Sequence, residues 1–328
     1  MKIVIPGGSG QVGCVLARAF HRDGHDVVVL SRAAQESRKK RRPALKAEPW
    51  RTVGWDATQT GPWTTELEGA DVVINLAGRS VNCRYTSTNR REIYESRVRS
   101  TRLVGEAIGR AARPPRVWLQ ASTATIYAHR FDAPNDDRTG IIGGNEGDAP
   151  DTWSFSIKVA RAWEQSVDES VTPKTRKVKL RSAMVMNPDR GSIFDTLLTL
   201  VRRRLGGTAA DGRQYISWIH DEDFVRAIYW LIEHDKLDGA VNVASPNPLP
   251  NREFMKILRD AARVRVGLPA NRIMLQVGAF FMRSETELIL KSRRVVPARL
   301  LDSGFEFVLP RWEDAARDLC QRAGVIRS

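Results

Sequence analysis

Gly7-Gly8-Ser9-Gly10-Gln11-Val12-Gly13 satisfies both G-x-G-x-x-G and G-x-x-G-x-x-G. Glycines at these spacings permit a tight turn, let the backbone approach a pyrophosphate, and allow a helix to pack close against a strand. A helix opening at Gln11 would aim its free N–H groups and the positive end of its dipole at that phosphate. Context separates this pattern from a glycine-rich turn with no ligand. It follows the apolar run Lys2–Pro6 and precedes Val12–Phe20, which has helical period.

A second position reads the cofactor. Sites for NAD carry Asp or Glu about 20 residues beyond the glycine loop, where it holds the ribose 2′-OH. Here that place is Ser31-Arg32, and the first carboxylate after it is Glu36. Arg32 can pair bidentately with a 2′-phosphate and Ser31 can donate to it, so NADP(H) is the expected cofactor. The basic run Arg38-Lys39-Lys40-Arg41-Arg42 adds positive field, mostly as a solvated loop.

These residues need a scaffold, and the chain provides its signals. Asp26–Leu30, Asp71–Leu76 and Arg116–Ala121 are continuous apolar runs, the mark of strands buried on both faces. Between them lie helical patterns such as Val98–Ala112, stopped by Pro114-Pro115. Strand–helix alternation implies right-handed crossovers and a Rossmann-like, doubly wound parallel α/β sheet. A helix over 153–169 and a strand over 177–181 continue it. Phe194–Leu205 then reads as an amphipathic helix, Ile216–His220 as a short strand, and Asp221–Glu233 as a helix capped near Asp221. Residues 1–185, with parts of 215–245, are read as the dinucleotide-binding domain. Residues 186–214 and 246–328 are read as a smaller C-terminal lobe capping the substrate.

Composition excludes several classes. In 328 residues, 42% are apolar and 27% charged, as in globular proteins. No run of eighteen apolar residues exists, so no membrane span is expected. The start, Met1-Lys2-Ile3-Val4-Ile5, enters a strand directly and lacks a signal-peptide pattern. Cys14, Cys83 and Cys320 are scattered and form neither metal spacing nor a disulfide framework, which points to the cytoplasm. The net charge of +14 calls for an anionic partner. Nucleic acid ranks low, because no recognition motif and no basic stripe interleaved with aromatics is present.

With these pieces assembled, the chain resembles the extended short-chain dehydrogenase/reductase superfamily. Within it, the nearest likeness is the branch labelled epimerase family protein, which ends in a small domain of unknown function. The likeness rests on Gly7–Gly13, Ile74-Asn75-Leu76-Ala77-Gly78, Glu95-Ser96-Arg97-Val98, Ala121–Tyr127, Trp163-Glu164, Ser217-Trp218-Ile219-His220 with Asp223, and Val296–Phe307. It implies that Gly7, Ser9, Gly10, Gln11, Val12 and Gly13 cradle the pyrophosphate of NADP(H). Asn75, Leu76, Ala77 and Gly78 would pass beside the adenosine and its ribose. Ala121, Ser122 and Thr123 would end a strand near the nicotinamide, with Pro188 bordering it from the other side. A homodimer through helices 97–112 and 153–169 is also implied.

The resemblance further implies a Tyr that transfers a proton, a Lys four residues on that lowers its pKa, and a Ser or Thr that holds the substrate oxygen. Thr123 matches the last. No tyrosine occurs in 150–162, where the pair belongs. Spacing alone gives Lys158 as the lysine with Ser154 at the tyrosine position. Anchoring on Trp163-Glu164 gives Ser156 and Ala160 instead. Tyr127 and His220 are the remaining proton donors, each with a packing role as its competitor; Arg181, Asp189 and Arg190 are weaker. Trp153, Trp163 and Trp218 read as packing, and Pro297–Phe307 as part of the core of the cap. Two functions remain. One is an NADP(H)-dependent oxidoreductase or epimerase-like enzyme acting on a small carbonyl or sugar-nucleotide-like substrate. The other is an NADP(H)-binding sensor with little catalysis.

Overall fold

The computed structural model describes residues 1–32, 48–147, 150–271 and 287–326; the basic run 38–42 lies outside them. In chain order the first strands are β1 (Lys2–Pro6), β2 (Asp26–Ser31), β3 (Arg51–Gly54), β4 (Val72–Asn75), β5 (Val117–Ala121) and β6 (Arg176–Ser182). After them come β7 (Met184–Met186), β8 (Tyr215–Ile216), β9 (Trp218–His220), β10 (Gly239–Val243) and β11 (Leu249–Pro250). Seven strands build one parallel sheet in the order β10-β6-β5-β4-β1-β2-β3. The order reverses direction between β1 and β4, and ligands of doubly wound sheets bind above that point, at the carboxyl ends of the strands.

Alternation along each strand feeds two cores. Ile3, Ile5, Val27, Val29, Val72 and Ile74 face α1 (Gln11–Arg22), which contributes Leu16 and Phe20. Val4, Val28, Leu30 and Val73 face the opposite way. They meet Leu103, Val104 and Ile108 of α2 (Ser87–Arg110) and Val167 of α3 (Asp151–Asp168). The C-terminal lobe has its own core. Phe194 of α4 (Ile193–Arg202), Phe254 of α6 (Asn251–Ala261) and Trp312 of α9 (Trp312–Arg322) pack there with Met186 and Trp218. The Phe254 and Trp312 rings stack at 4.1 Å. The short helices α7 (Glu287–Leu290) and α8 (Ala298–Asp302) lie between α6 and α9 in the chain. No helix among the described residues is long and apolar enough to cross a membrane.

Several expectations are corrected. α2 begins at Ser87, eleven residues before the expected start, because the polar stretch Ser87–Arg97 hides its period; the Thr86 hydroxyl caps it by accepting from the Asn89 N–H at 3.3 Å. β3 is a seventh strand that a single strong apolar residue, Val53, did not announce. The run 216–220 is two strands, with β8 pairing β11 and β9 pairing β7. His220, not Asp221, caps α5 (Asp221–Glu233), its Nδ1 accepting from the Glu222 N–H at 3.2 Å. The segment 297–307 does not join the core of the cap. Leu300 and Phe305 pack with Phe224, Ile228 and Leu231 of α5 in the main core. Trp230 of the same helix meets Phe305 edge-on at 5.7 Å.

Candidate functional site

The glycine turn occupies the switch point. Gly7 has φ +77°, and a Cβ on it would stand 2.7 Å from the Ala77 backbone, so only glycine lets β1 and β4 approach here. At Gly13 a Cβ would meet the Gly8 carbonyl oxygen at 2.4 Å, which is how α1 sits tight on the turn. At Gly10 a Cβ would meet only the Gly7 carbonyl oxygen, at 3.5 Å, and would otherwise project into open space. That space is a cleft of about 630 Å³, within the range for a bound cofactor.

Gly7, Ser9, Gly10, Ser31, Arg32, Leu76, Ala77 and Gly78 line the cleft. The Ser31 hydroxyl, itself buried, donates to the Ser9 hydroxyl at 2.9 Å, and Arg32 stands exposed at the lip. Asn75 shapes the wall from behind. Its Oδ1 accepts from the Ala77 N–H at 3.1 Å, and its Nδ2 donates to Gln120 Oε1 at 2.9 Å. Gln11 reaches sideways to the Arg190 carbonyl at 3.0 Å, and Arg18 pairs with Asp189. Together they tie the loop carrying Pro188 to α1. Val12 and Gly13 sit in the helix packing rather than on the cleft wall.

Other lining residues were not foreseen. Asp56 follows β3, and although burial pushes its carboxyl up, the N–H groups of Thr58 and Gln59 hold it below the ordinary aspartate value. Arg79 pairs with Glu92, and Glu95, Ser96 and Arg99 complete the wall. Positions 92, 95, 96 and 99 have the i, i+3, i+4, i+7 spacing of one helix face, and that periodicity was the available signal.

At the carboxyl end of β5 the Ser122 hydroxyl donates to Glu164 Oε1 at 2.6 Å. Glu164 is held by Arg181 through two bonds of 2.8 Å. Burial lowers the Arg181 pKa, but Glu164 more than offsets it and the guanidinium stays charged. Ala121 precedes Ser122, and half-buried Thr123 begins a 3₁₀ turn, its Oγ1 accepting from the Thr125 N–H at 3.1 Å.

Of the remaining catalytic candidates, Tyr127 meets this network through Arg181. Tyr127 is buried, donates to Asn242 Oδ1 at 2.8 Å and accepts from Arg181 at 3.0 Å. Burial, the largest influence, pushes its phenol up. Both of its hydrogen-bonding roles are thus filled by protein, as the packing alternative requires. His220 is fully buried under α9, bonded to Asp318 at 2.9 Å while its other nitrogen caps α5. Lys158 is exposed on α3, whereas Ile157, Ala160, Trp163 and Glu164 face inward. On the helix Ser156 and Ala160 share the inward side, and Ser154 and Lys158 lie off it.

The model described as "NAD dependent epimerase/dehydratase family" matches residues 3–144, and a domain of unknown function (DUF1731) matches 272–319. The chain is 30% identical to Epimerase family protein YfhF of Bacillus subtilis (strain 168), over 97% of this chain and 98% of the relative. Among solved structures it is similar to the human epimerase family protein SDR39U1 (isoform 2) with NADPH, at TM-score 0.80 and 25% identity, covering 98% of this chain and 99% of that one. It shares the fold of UDP-N-acetylglucosamine 4-epimerase from Bacillus cereus, at TM-score 0.71 and 15% identity, covering 100% and 98%.

Proposed function

Because the chain belongs to the NAD-dependent epimerase/dehydratase family of extended short-chain dehydrogenases/reductases, we propose that it is an NADP(H)-dependent oxidoreductase acting on a small carbonyl or sugar-nucleotide-like substrate. The observation that carries this reading is the cleft above the glycine turn, where the end of β2 presents Ser31 and Arg32 in place of a carboxylate. The residues fit a dinucleotide. Gly10 leaves the space that a pyrophosphate needs, and the N-terminus of α1 faces it with free N–H groups. Leu76, Ala77 and Gly78 would support the adenosine, and Arg32 would grip the 2′-phosphate. The similar human protein carries NADPH in its structure. When bound, the nicotinamide supplies or takes up hydride. Thr123, at the carboxyl end of β5, would hold the substrate oxygen, and Ala121 and Ser122 would keep that edge rigid through Glu164 and Arg181.

The test is to add NADPH and a panel of aldehydes, ketones and quinones to the purified protein and follow nicotinamide absorbance. Consumption that requires one of them supports the reading. NADPH binding without consumption on any member favours the sensor, to which the absence of a phenol and a lysine from the inward face of α3 lends weight. The three cysteines, none of them in a disulfide, fit the cytoplasm, and the proposed assembly is a homodimer through α2 and α3, to be checked by sedimentation.

A further inference from the structure

Helices α4 and α6 of the C-terminal lobe end in the same way. Arg204 has φ +61° and Arg263 has φ +58°. The Arg204 N–H donates to the Val201 carbonyl at 2.9 Å, and the Leu205 N–H to the Leu200 carbonyl at 2.8 Å. At the end of α6 the Arg263 N–H donates to the Asp260 carbonyl at 3.1 Å, and the Val264 N–H to the Arg259 carbonyl at 2.9 Å. This closing motif usually has glycine at the left-handed position, and the apolar residue after it commonly packs back onto its helix. Val264 packs so, against the core of the lobe. Leu205 does not, and is 51% exposed.

The two turns are strapped together. The Leu268 N–H donates to the Arg204 carbonyl at 2.8 Å, the Ala270 N–H to the Thr208 carbonyl at 2.9 Å, and the Arg259 guanidinium to the Gly206 carbonyl at 2.9 Å. A Cβ on Gly207 would stand 2.4 Å from the Leu268 backbone, so glycine is what lets the segments lie this close. Leu205 is thereby brought to Leu268, which is 54% exposed, with Val266, 56% exposed, two residues before it. A lone exposed aliphatic residue is ordinary; three of them on two joined turns form a patch.

Arginines surround these side chains. Arg202, Arg203 and Arg204 flank Leu205, and Arg263 and Arg265 precede Val266; all five are exposed. None of the five forms an ion pair among the described residues, and Asp260 at the end of α6 is taken by Lys256 at 2.7 Å. The negative end of the helix dipole favours cations in the last turns of α4 and α6. It gives no reason for the aliphatic side chains between them.

We propose that the turns 202–206 and 263–269 dock the protein on an anionic lipid surface. Leu205, Val266 and Leu268 enter the headgroup layer, and the guanidiniums pair with lipid phosphates and carboxylates. Charge complementarity points to this occupant, since the chain carries +14 and these cations have no partner in the fold. Nucleic acid would satisfy the guanidiniums and leave the aliphatic side chains in water. A protein partner is ordinarily anchored by aromatics, and neither turn contains one. The docking is peripheral and does not depend on the oxidoreductase reading.

The experiment is co-sedimentation of the full chain with phosphatidylcholine vesicles, pure or containing about one-third phosphatidylserine, in about 0.1 M salt. The protein should pellet with the mixed vesicles and stay largely in solution with the pure ones. Arg203→Gln/Arg265→Gln should weaken partitioning about 25-fold, roughly five-fold per charge, while Arg203→Lys/Arg265→Lys should retain most of it. Leu205→Ser/Val266→Ser/Leu268→Ser should weaken it about 10-fold or more. Because these side chains are exposed, every variant should keep its melting curve and its NADPH affinity. Wild type that does not prefer the mixed vesicles overturns the proposal. So does a triple serine variant that binds them like wild type, which would show capture of charge alone. A single-stranded oligonucleotide that binds more tightly than the vesicles, with equal affinity for wild type and the serine variant, would assign the surface to nucleic acid instead. Vesicle binding kept in both lobe variants but lost in Lys39→Gln/Lys40→Gln/Arg41→Gln would move it to the basic run 38–42.

Discussion

The Ser31 hydroxyl donates to the Ser9 hydroxyl at 2.9 Å, joining the tip of β2 to the glycine turn across 22 residues of chain. The bond fixes the point at which the main chain turns toward Arg32. On the proposed reading, specificity for the phosphate end of a dinucleotide then depends on one exposed guanidinium standing on a rigid support.

NADP(H) should accordingly bind more tightly than NAD(H), and Arg32→Ala should remove most of the difference. One charge-assisted contact to phosphate is worth roughly 1.5–3 kcal/mol, or about 10- to 100-fold in Kd. Calorimetric titration of both cofactors decides the matter; equal affinities in wild type would sink it.

Gly10 and Gly13 should separate binding from folding. Gly10→Val places its side chain in open cleft, so the protein should keep its circular dichroism and melting curve and lose the dinucleotide. Gly13→Val drives a side chain into the Gly8 backbone and should cost about 1–3 kcal/mol of stability before any effect on binding is measured. Unchanged affinity in Gly10→Val would mean that the dinucleotide lies elsewhere.

Tyr127→Phe and His220→Gln should damage stability rather than chemistry. Removing the Tyr127 hydroxyl leaves Asn242 Oδ1 and one guanidinium N–H of Arg181 without a partner, at about 1–3 kcal/mol. His220→Gln disturbs both the cap of α5 and the contact with Asp318. Urea melts should shift to lower midpoints while cofactor affinity holds. A large kcat loss in either variant, at full stability, would return that residue to the active site.

Lys291 gives stability a pH signature. Burial, with help from Arg293, lowers its pKa to about 8 from an ordinary 10.5. Above pH 8 the folded state has therefore released a proton that the unfolded state still binds, so stability rises with pH. Cys320, pushed up to about 11 from 9.0 by burial, acts in the opposite sense above pH 9. Between pH 8 and 9 the Lys291 contribution should be about 1 kcal/mol. Denaturant melts at the two pH values should show this rise in wild type and its loss in Lys291→Met. An identical slope in both proteins would remove Lys291 as its source.

Sequence alone determined the scaffold and the phosphate end of the site. Continuous β-branched runs such as Val27–Leu30 specify buried parallel strands. The turn Gly7–Gly13 announces itself because backbone geometry at a pyrophosphate admits so few residue types, and Ser31-Arg32 is legible because its distance from that turn is fixed by one strand–helix–strand unit. The catalytic edge was not legible, since its groups come from distant elements. Ser122, Glu164 and Arg181 are separated by 42 and 17 residues and share no local pattern. Only the packing of β5, α3 and β6 against one another brings them into hydrogen-bond contact. Tertiary structure also set the buried side of α3, because the side on which a helix is buried depends on what packs against it. The same burial gives Tyr127 and His220 protein partners, because a hydroxyl or imidazole enclosed in the core must satisfy its hydrogen bonds there.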